Sequence, residues 1–438
     1  MKIQTIHSWG RLTQNQYTVF KPTLAEEVPN FLHTIKEPVL AIGLLRSYGD
    51  ACLNNQGPLL CTTQLDHLIA FDTESGILHC GAGVTLGEIQ RLFAPKGWML
   101  AVTPGTQFVT VGGAIANDVH GKNHHKQGTF GRHALSITLA RTDRPVLRCS
   151  QDQHPDLFAA TIGGIGLTGI ILSAEIQLKK ITGTGWLTSE NIPFSDLNGF
   201  YQLSEESEGS WEHTVAWFDC LSTNGRGIFS RSNYCNKKLS PPSKRNVSIP
   251  FTPPISPLNG LTVRIFNELY YNILKSRARI SEQHYSSVFY PLDHISNWNR
   301  MYGNAGFYQY QCVIPEEAGI APVKDLLNEI RRSSAGSFLA VLKKFGSLKS
   351  PGLLSFPIQG TTIALDFPNK GKRTLALFER LDNIVRLAEG KLYSAKDARG
   401  PKDLLLPKQE IIDRYVLQLD RGINSDLARR ILPEEINP

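Results

Sequence analysis

Thr110-Val111-Gly112-Gly113-Ala114-Ile115-Ala116-Asn117-Asp118-Val119-His120-Gly121-Lys122-Asn123-His124-His125, preceded by Thr103-Pro104-Gly105-Thr106, is the stretch on which the reading of this chain turns. Small residues are so dense here that something is expected to come close to the backbone. Either a flat ring lies against it, or the segment is a set of tight turns. The histidines at 120, 124 and 125 have no clear carboxylate or thiolate companion, so no metal site is expected. Hydrogen bonding to a ligand or to neighbouring backbone suits them better.

Two further glycine-bearing segments flank this stretch. Residues 39–42 are apolar and read as a short strand, which runs into Gly43-Leu44-Leu45-Arg46-Ser47-Tyr48-Gly49-Asp50. Backbone N–H groups in such a turn can bind a pyrophosphate, with Arg46 and Ser47 adding donors. Taken alone, a plain strand-end loop explains it equally well. On the other side lies Gly163-Gly164-Ile165-Gly166-Leu167-Thr168-Gly169, which spells G-x-G-x-x-G at Gly164, Gly166 and Gly169. Residues 170–178, directly after it, read as a strand. The dinucleotide fingerprint demands a helix at that point, so a nicotinamide site of that kind is rejected. Thr85 is placed to cap a helix over 86–93.

The chain has 438 residues, which predicts two or three domains at roughly 100–200 residues each. Its seven cysteines form no C-x-x-C pair and are odd in number, so reduced thiols are expected rather than disulfides or a zinc ribbon. The net charge of +7 suits phosphate-bearing ligands or an anionic membrane. No Lys/Arg run with interleaved aromatics appears, so nucleic acid is not an expected partner. The first residues do not read as a secretory signal, and the longest weakly polar run, 161–174, is short and broken by glycines. A cytoplasmic location is expected, with peripheral contact on the inner face of the plasma membrane.

Residues 183–390 mix aromatic-rich strands (307–313, 362–367) with helices (322–332, 372–388), an α+β pattern. Residues 221–267 contain no Asp or Glu but several Lys, Arg and Pro, which predicts a mobile basic loop near 236–260. Over 261–280, apolar and basic residues recur at near-helical spacing. This is either an interfacial helix or an amphipathic helix packed on its own domain.

In this order, Arg46-Ser47-Tyr48-Gly49-Asp50, Pro104-Gly105-Thr106, the Val111-to-His125 stretch and Gly166-Leu167-Thr168-Gly169 resemble the vanillyl-alcohol-oxidase family of flavoproteins. The His-Gly-Lys-Asn-His-His string is similar to the decaprenylphosphoryl-ribose oxidase branch. So are Tyr308-Gln309-Tyr310-Gln311, Leu354-Ser355-Phe356-Pro357-Ile358 and Tyr393-Ser394-Ala395-Lys396-Asp397.

The resemblance implies an α+β, two-domain fold of the PCMH type. An FAD-binding domain would comprise 1–182 plus 392–438, and an inserted α+β substrate domain, an antiparallel sheet flanked by helices, 183–391. FAD would be held by Arg46, Ser47, Tyr48, Gly49, Asp50, Pro104, Gly105, Thr106, Thr110, Gly112, Gly113, Asn117, His120, Gly166, Ile170 and Tyr393. Arg46 stands where many members carry the histidine that bonds flavin covalently, so non-covalent FAD is expected. The substrate would meet Tyr290, Gln309, Gln311, Asp366, Lys122 and His120. Lys396 is the catalytic candidate, as base or as stabiliser of the reduced flavin.

Two departures stand out: Leu45 replaces a first-loop glycine, and Ala364 replaces the pocket cysteine of mycobacterial members. The implied reaction is oxidation of a sugar alcohol at C2 of a polyprenyl-phosphoryl-β-D-ribose to the 2-keto sugar. A separate short-chain reductase would then complete epimerisation to arabinose for the cell wall. The alternatives are an alditol or aldonolactone oxidase acting on a soluble sugar, and a non-catalytic flavin-binding partner subunit.

Overall fold

The computed structural model describes residues 1–240, 242, 247–277 and 279–433. Strands β1 (Lys2–Ile6), β2 (Asn15–Phe20), β3 (Leu40–Ile42) and β4 (Leu59–Cys61) form a sheet in the order β1-β2-β4-β3. Leu40, Ile42, Leu59 and Cys61 from the parallel β3–β4 pair are buried with Tyr17 and Val19. The expected strand at 39–42 is therefore present, one residue shorter, and it releases the chain into the loop at 43–50.

A second sheet holds β5 (Leu68–Phe71), β6 (Ile77–Gly81), β7 (Trp98–Leu100), β8 (Ala134–Ala140), β9 (Leu147–Ser150) and β10 (Ile170–Lys180). β10 is its centre, antiparallel to β6, β7 and β8. Its Ala174, Ile176 and Leu178 are buried in one cluster with α1 (Leu86–Phe93) and α2 (Val111–Ala116). α1 opens with a capping box: the Thr85 hydroxyl accepts from the Glu88 amide at 3.1 Å, and the Glu88 carboxylate accepts from the Thr85 amide. The segment after Gly169 is a strand, as its alternation predicts, and this is what separates it from a Rossmann unit.

The remaining strands are β11 (Trp186–Phe194), β12 (His213–Phe218), β13 (Gly227–Tyr234), β14 (Val247–Ser248), β15 (Ile280–His284), β16 (Ile295–Ser296), β17 (Phe307–Pro315), β18 (Ala340–Phe345), β19 (Gly360–Pro368) and β20 (Lys391–Leu392). β14 and β16 form a short parallel pair. The other eight make one antiparallel sheet in the order β15-β11-β13-β12-β18-β19-β17-β20. Helix α3 (Gly260–Ser276) lies against β11 and β13. Helices α4 (Ala321–Ser333) and α5 (Lys372–Leu387) match the expected helices to within a residue or so.

Period-two alternation gives this sheet two different faces. Ala216, Phe218, Phe229, Leu342, Ile363, Leu365, Cys312 and Ile314 share a buried core with Val323, Leu326 and Ile330 of α4 and Leu377, Phe378 and Leu381 of α5. The opposite parity, Trp217, Ile228, Val341, Lys343, Thr362, Ala364, Gln309 and Gln311, lines a cavity. The mixture of helices and antiparallel sheets is the α+β class expected.

The segment expected as a mobile basic loop falls in part, at 241 and 243–246, outside the described residues. Its described parts make contacts with the rest of the chain. The Lys237 ammonium pairs with Glu282, the Leu239 carbonyl accepts from the Trp186 indole at 3.1 Å, and Arg300 donates to the carbonyls of Ile249 and Pro250. Helix α3 packs on its own domain along one side. Val263, Asn267 and Tyr271 are buried, while Leu261, Ile265, Leu269 and Ile273 on the outer side are 47–68% exposed. Among the described residues, no helix is long and apolar enough to cross a membrane.

Candidate active site

A cavity of about 1180 Å³ lies between the glycine-bearing loops and the open face of the large sheet. One wall is largely backbone. It comprises residues 43–48, Pro104, Gly105, Thr106, Thr110, Gly112, Gly113, Asn117 and Gly166. The Thr110 hydroxyl caps α2 by accepting from the Gly113 amide at 3.2 Å. A Cβ added at Gly43 would stand 2.4 Å from that hydroxyl oxygen, so the first loop packs this closely only because residue 43 has no side chain. At Gly105 and Gly166 a Cβ would meet no protein atom within 4 Å, so these two face open space. Arg46 lies over the Trp9 ring at 4.2 Å, and its Nε donates to the Phe108 carbonyl at 3.3 Å. Leu45, which replaces a glycine of the resembled family, has φ of +53°, the left-handed region that glycine occupies at least cost.

The other wall is made of side chains. Lys396 follows β20 and sets its Nζ 4.1 Å from the centroid of the buried Tyr48 ring. Behind it, Gln309 donates to Asp366 at 2.6 Å. Burial raises the Asp366 carboxyl, with the nearby Lys396 charge opposing it. Burial lowers Lys396, with Asp366 opposing. The two groups therefore approach one another in proton affinity, as a desolvated acid and base must. His120 lies 2.9 Å from the Gln311 amide through Nε2 and 3.1 Å from Lys343 Nζ through Nδ1. Burial and then the Lys343 charge hold this imidazole far below its ordinary pKa, so it is neutral. Burial brings Lys343 down to about 7 and Lys122 down to about 8. Tyr393 stacks on Phe356 at 4.7 Å and donates to the Asn117 carbonyl at 2.9 Å, joining the two walls.

Of the residues singled out from sequence, Arg46, Ser47, Tyr48, Pro104, Gly105, Thr106, Thr110, Gly112, Gly113, Asn117, His120, Lys122, Gly166, Gln309, Gln311, Tyr393 and Lys396 meet at this cavity. Five do not. Gly49 packs on the Asp397 carbonyl, and Asp50 pairs with Arg430 at 2.8 Å, so these two fasten the first loop to the C-terminal segment. Ile170 is a core residue of β10. Tyr290 is fully buried and donates to Gln90 at 2.5 Å while Thr103, 2.6 Å away, bonds its hydroxyl; it braces the Thr103 loop from behind. Asp366 is fully buried and reaches the cavity through Gln309. The three clustered histidines diverge: His124 packs on Phe345 and His125 bonds the Trp211 carbonyl at 2.9 Å. Lys343 escaped the sequence reading. Adjacent Lys343 and Lys344 differ only in strand parity, and Lys344 pairs with Glu316 instead. Ala364 lines the cavity, aligned with Gln311 of β17.

Known proteins match this chain over very different spans. An FAD binding domain family matches residues 18–150. A decaprenylphosphoryl-beta-D-ribose oxidase of Mycolicibacterium smegmatis is 34% identical, over 97% of this chain and 96% of its own length. A human delta(24)-sterol reductase is 31% identical over 25% of this chain and 22% of its own length. A bovine L-gulonolactone oxidase is 26% identical over 36% of each. The cavity fits FAD. Gly105 and Gly166 leave space where side chains would stand, Arg46 sets a cation at the first loop, and the volume exceeds the roughly 300–1,000 Å³ of ordinary ligand pockets.

Proposed function

The chain belongs to the vanillyl-alcohol-oxidase type of FAD-dependent oxidoreductases acting on CH–OH donors, together with the decaprenylphosphoryl-ribose oxidases, and we propose that it oxidises C2 of a polyprenyl-phosphoryl-β-D-ribose to the 2-keto sugar. The observation that carries this reading is the placement of Lys396. It faces the cavity over the Tyr48 ring and in the charge field of Asp366. The relative that spans 97% of the chain is named for such a substrate.

Bound FAD supplies the hydride acceptor. Lys396 in its neutral form takes the proton of the reacting hydroxyl: burial brings the ammonium down to about 8, which makes that form accessible, and a base must lie within hydrogen-bond reach of the group it deprotonates. The Asp366 charge stabilises the ammonium that forms once the proton has been taken, and Gln309, held by Asp366, fixes the polar edge that orients the sugar. Gln311 and the neutral His120 do the same on the Lys343 side.

We assign flavin contacts to the backbone wall and to Tyr393, with FAD held non-covalently because Arg46 occupies the position of the bonding histidine. Residues 1–182 plus 392–438 form the FAD-binding domain and 183–391 the substrate domain. This division is supported by the large sheet, whose strands run from 186 to 368 apart from β20. A separate short-chain reductase completes epimerisation. The basic charge and the outward apolar side of α3 support peripheral contact with an anionic membrane.

The test is an absorbance spectrum of the holoenzyme without oxygen. Addition of a polyprenyl-phosphoryl-ribose is expected to bleach the flavin bands. Bleaching by soluble polyols or aldonolactones alone would replace this reading with that of a soluble-sugar oxidase. Protein that ignores anionic liposomes at low salt would remove the membrane contact.

A further inference from the structure

The charged side chains lining the cavity are unequally matched. Arg46, Lys122, Arg231, Lys343 and Lys396 face a single carboxylate, Asp293. Arg231 is paired with Glu190 at 2.6 Å, Arg46 lies in the field of Asp293, and Lys396 in that of Asp366. Lys122 and Lys343 have no carboxylate partner among the described residues. Lys122 donates to the Val288 carbonyl; Lys343 has His120 Nδ1 at 3.1 Å and the Gly121 carbonyl at 3.4 Å. Two enclosed ammonium groups with only neutral acceptors are costly until an anion joins them.

Strand geometry places an apolar lane beside this pair. Lys343 and Val341 share the cavity face of β18, two residues and so roughly 6–7 Å apart. Val341 is in register with Trp217 of β12, and Trp217 with Ile228 of β13. Val263 and Phe266 of α3 roof this row. α3 thus turns Val263 and Phe266 toward the cavity and carries Leu261, Ile265, Leu269 and Ile273 on its outer side, among Arg264, Glu268 and Lys275.

The geometry points to one composite subsite: Lys122 and Lys343 hold a phosphodiester anion, and the Val341–Trp217–Ile228 lane under α3 holds the hydrocarbon chain attached to it. This deepens the reading above by locating the phosphate and the lipid of the substrate. It leaves the cofactor pyrophosphate to the Arg46 loop on the opposite wall.

The probe is farnesyl phosphate, titrated into the holoenzyme and followed by the flavin spectrum and the thermal midpoint, with inorganic phosphate and farnesol as the separate halves. The wild-type protein is expected to bind farnesyl phosphate more tightly than either half. Lys343→Met and Lys122→Met are expected each to weaken it by about tenfold or more while leaving farnesol and FAD affinity unaltered. Lys343→Gln serves in place of the Met variant if that does not fold. Unchanged affinity in the variants, or loss of FAD in place of farnesyl phosphate, would overturn the subsite. Wild-type protein that shows this binding pattern but oxidises no polyprenyl-phosphoryl-ribose would keep the subsite and sink the reaction. Turnover of that substrate with variant affinities unchanged would do the reverse.

Discussion

The glycine-loop wall meets its ligand with backbone, whereas the sheet wall meets it with side chains. In the first, residues 43, 105, 112, 113 and 166 are glycines, and the loops are braced from behind by Thr110, Tyr290 and the Asp50–Arg430 pair. In the second, alternate residues of β12, β17, β18 and β19 point inward, and Lys343 lies in the fields of Lys122 and Lys396. A backbone wall is sensitive to added volume and indifferent to charge. A side-chain wall is the opposite. On the proposed function, the division also separates cofactor holding from chemistry.

The most severe challenge to this contrast is Lys396→Met. The expected outcome is a fall in turnover of about 10²- to 10⁴-fold, the usual worth of a positioned proton acceptor, with the flavin spectrum of the purified protein intact. Loss of flavin instead would place Lys396 in cofactor holding. Next in size is Gly49→Ala. Its Cβ would stand 1.8 Å from the Asp397 carbonyl oxygen and 2.6 Å from Ala398 Cα, so the joint between the first loop and the C-terminal segment must open. A stability loss of about 3 kcal/mol is expected in urea denaturation. Gly105→Ala, whose methyl meets no protein atom, is expected to leave stability within about 0.5 kcal/mol while weakening FAD retention. Equal losses from both would mean that volume is not what this wall controls.

On the sheet wall, the pH dependence of stability is the finer instrument. Burial lowers Lys343 to about 7, against an ordinary value of 10.5. Between those two values the unfolded chain binds more protons than the folded one, so stability rises with pH across that window and the penalty is complete below it. Lys343→Met is therefore expected to raise the thermal midpoint by a few degrees at pH 6 and by less at pH 10. A constant difference across this range would mean that the lysine carries no buried charge. The smallest effect expected is from Leu45→Gly. Relief of a left-handed φ, about 1 kcal/mol, roughly offsets the lost packing and the freer unfolded chain, for a net change under about 1 kcal/mol. A loss above about 2 kcal/mol would show that Leu45 packing outweighs the strain.

Much of the backbone wall was legible in the sequence. The Thr85 cap, the strand after Gly169 and the glycine spacings are local features whose cause lies within a few residues. The sheet wall was legible only through resemblance, and Lys343 was missed altogether. Asp366 and Tyr290 were picked out as pocket residues, but they stand one layer behind the surface, acting through Gln309 and Thr103.

Contiguous small residues, capping signals and alternation were enough to predict a close approach to the backbone near Gly105 and Gly112, and to establish that a strand rather than a dinucleotide-binding helix comes after the third glycine segment. They were enough because backbone conformation is chosen largely by neighbours in the chain. Tertiary structure alone decided which parity of β18 faces the cavity, sending Lys343 inward and Lys344 to Glu316. It alone joined Asp50 to Arg430 across 380 positions, and set Lys396 over Tyr48. A period of two says that successive side chains part company, but the register with neighbouring strands and the helices packed behind them determine which one finds the core.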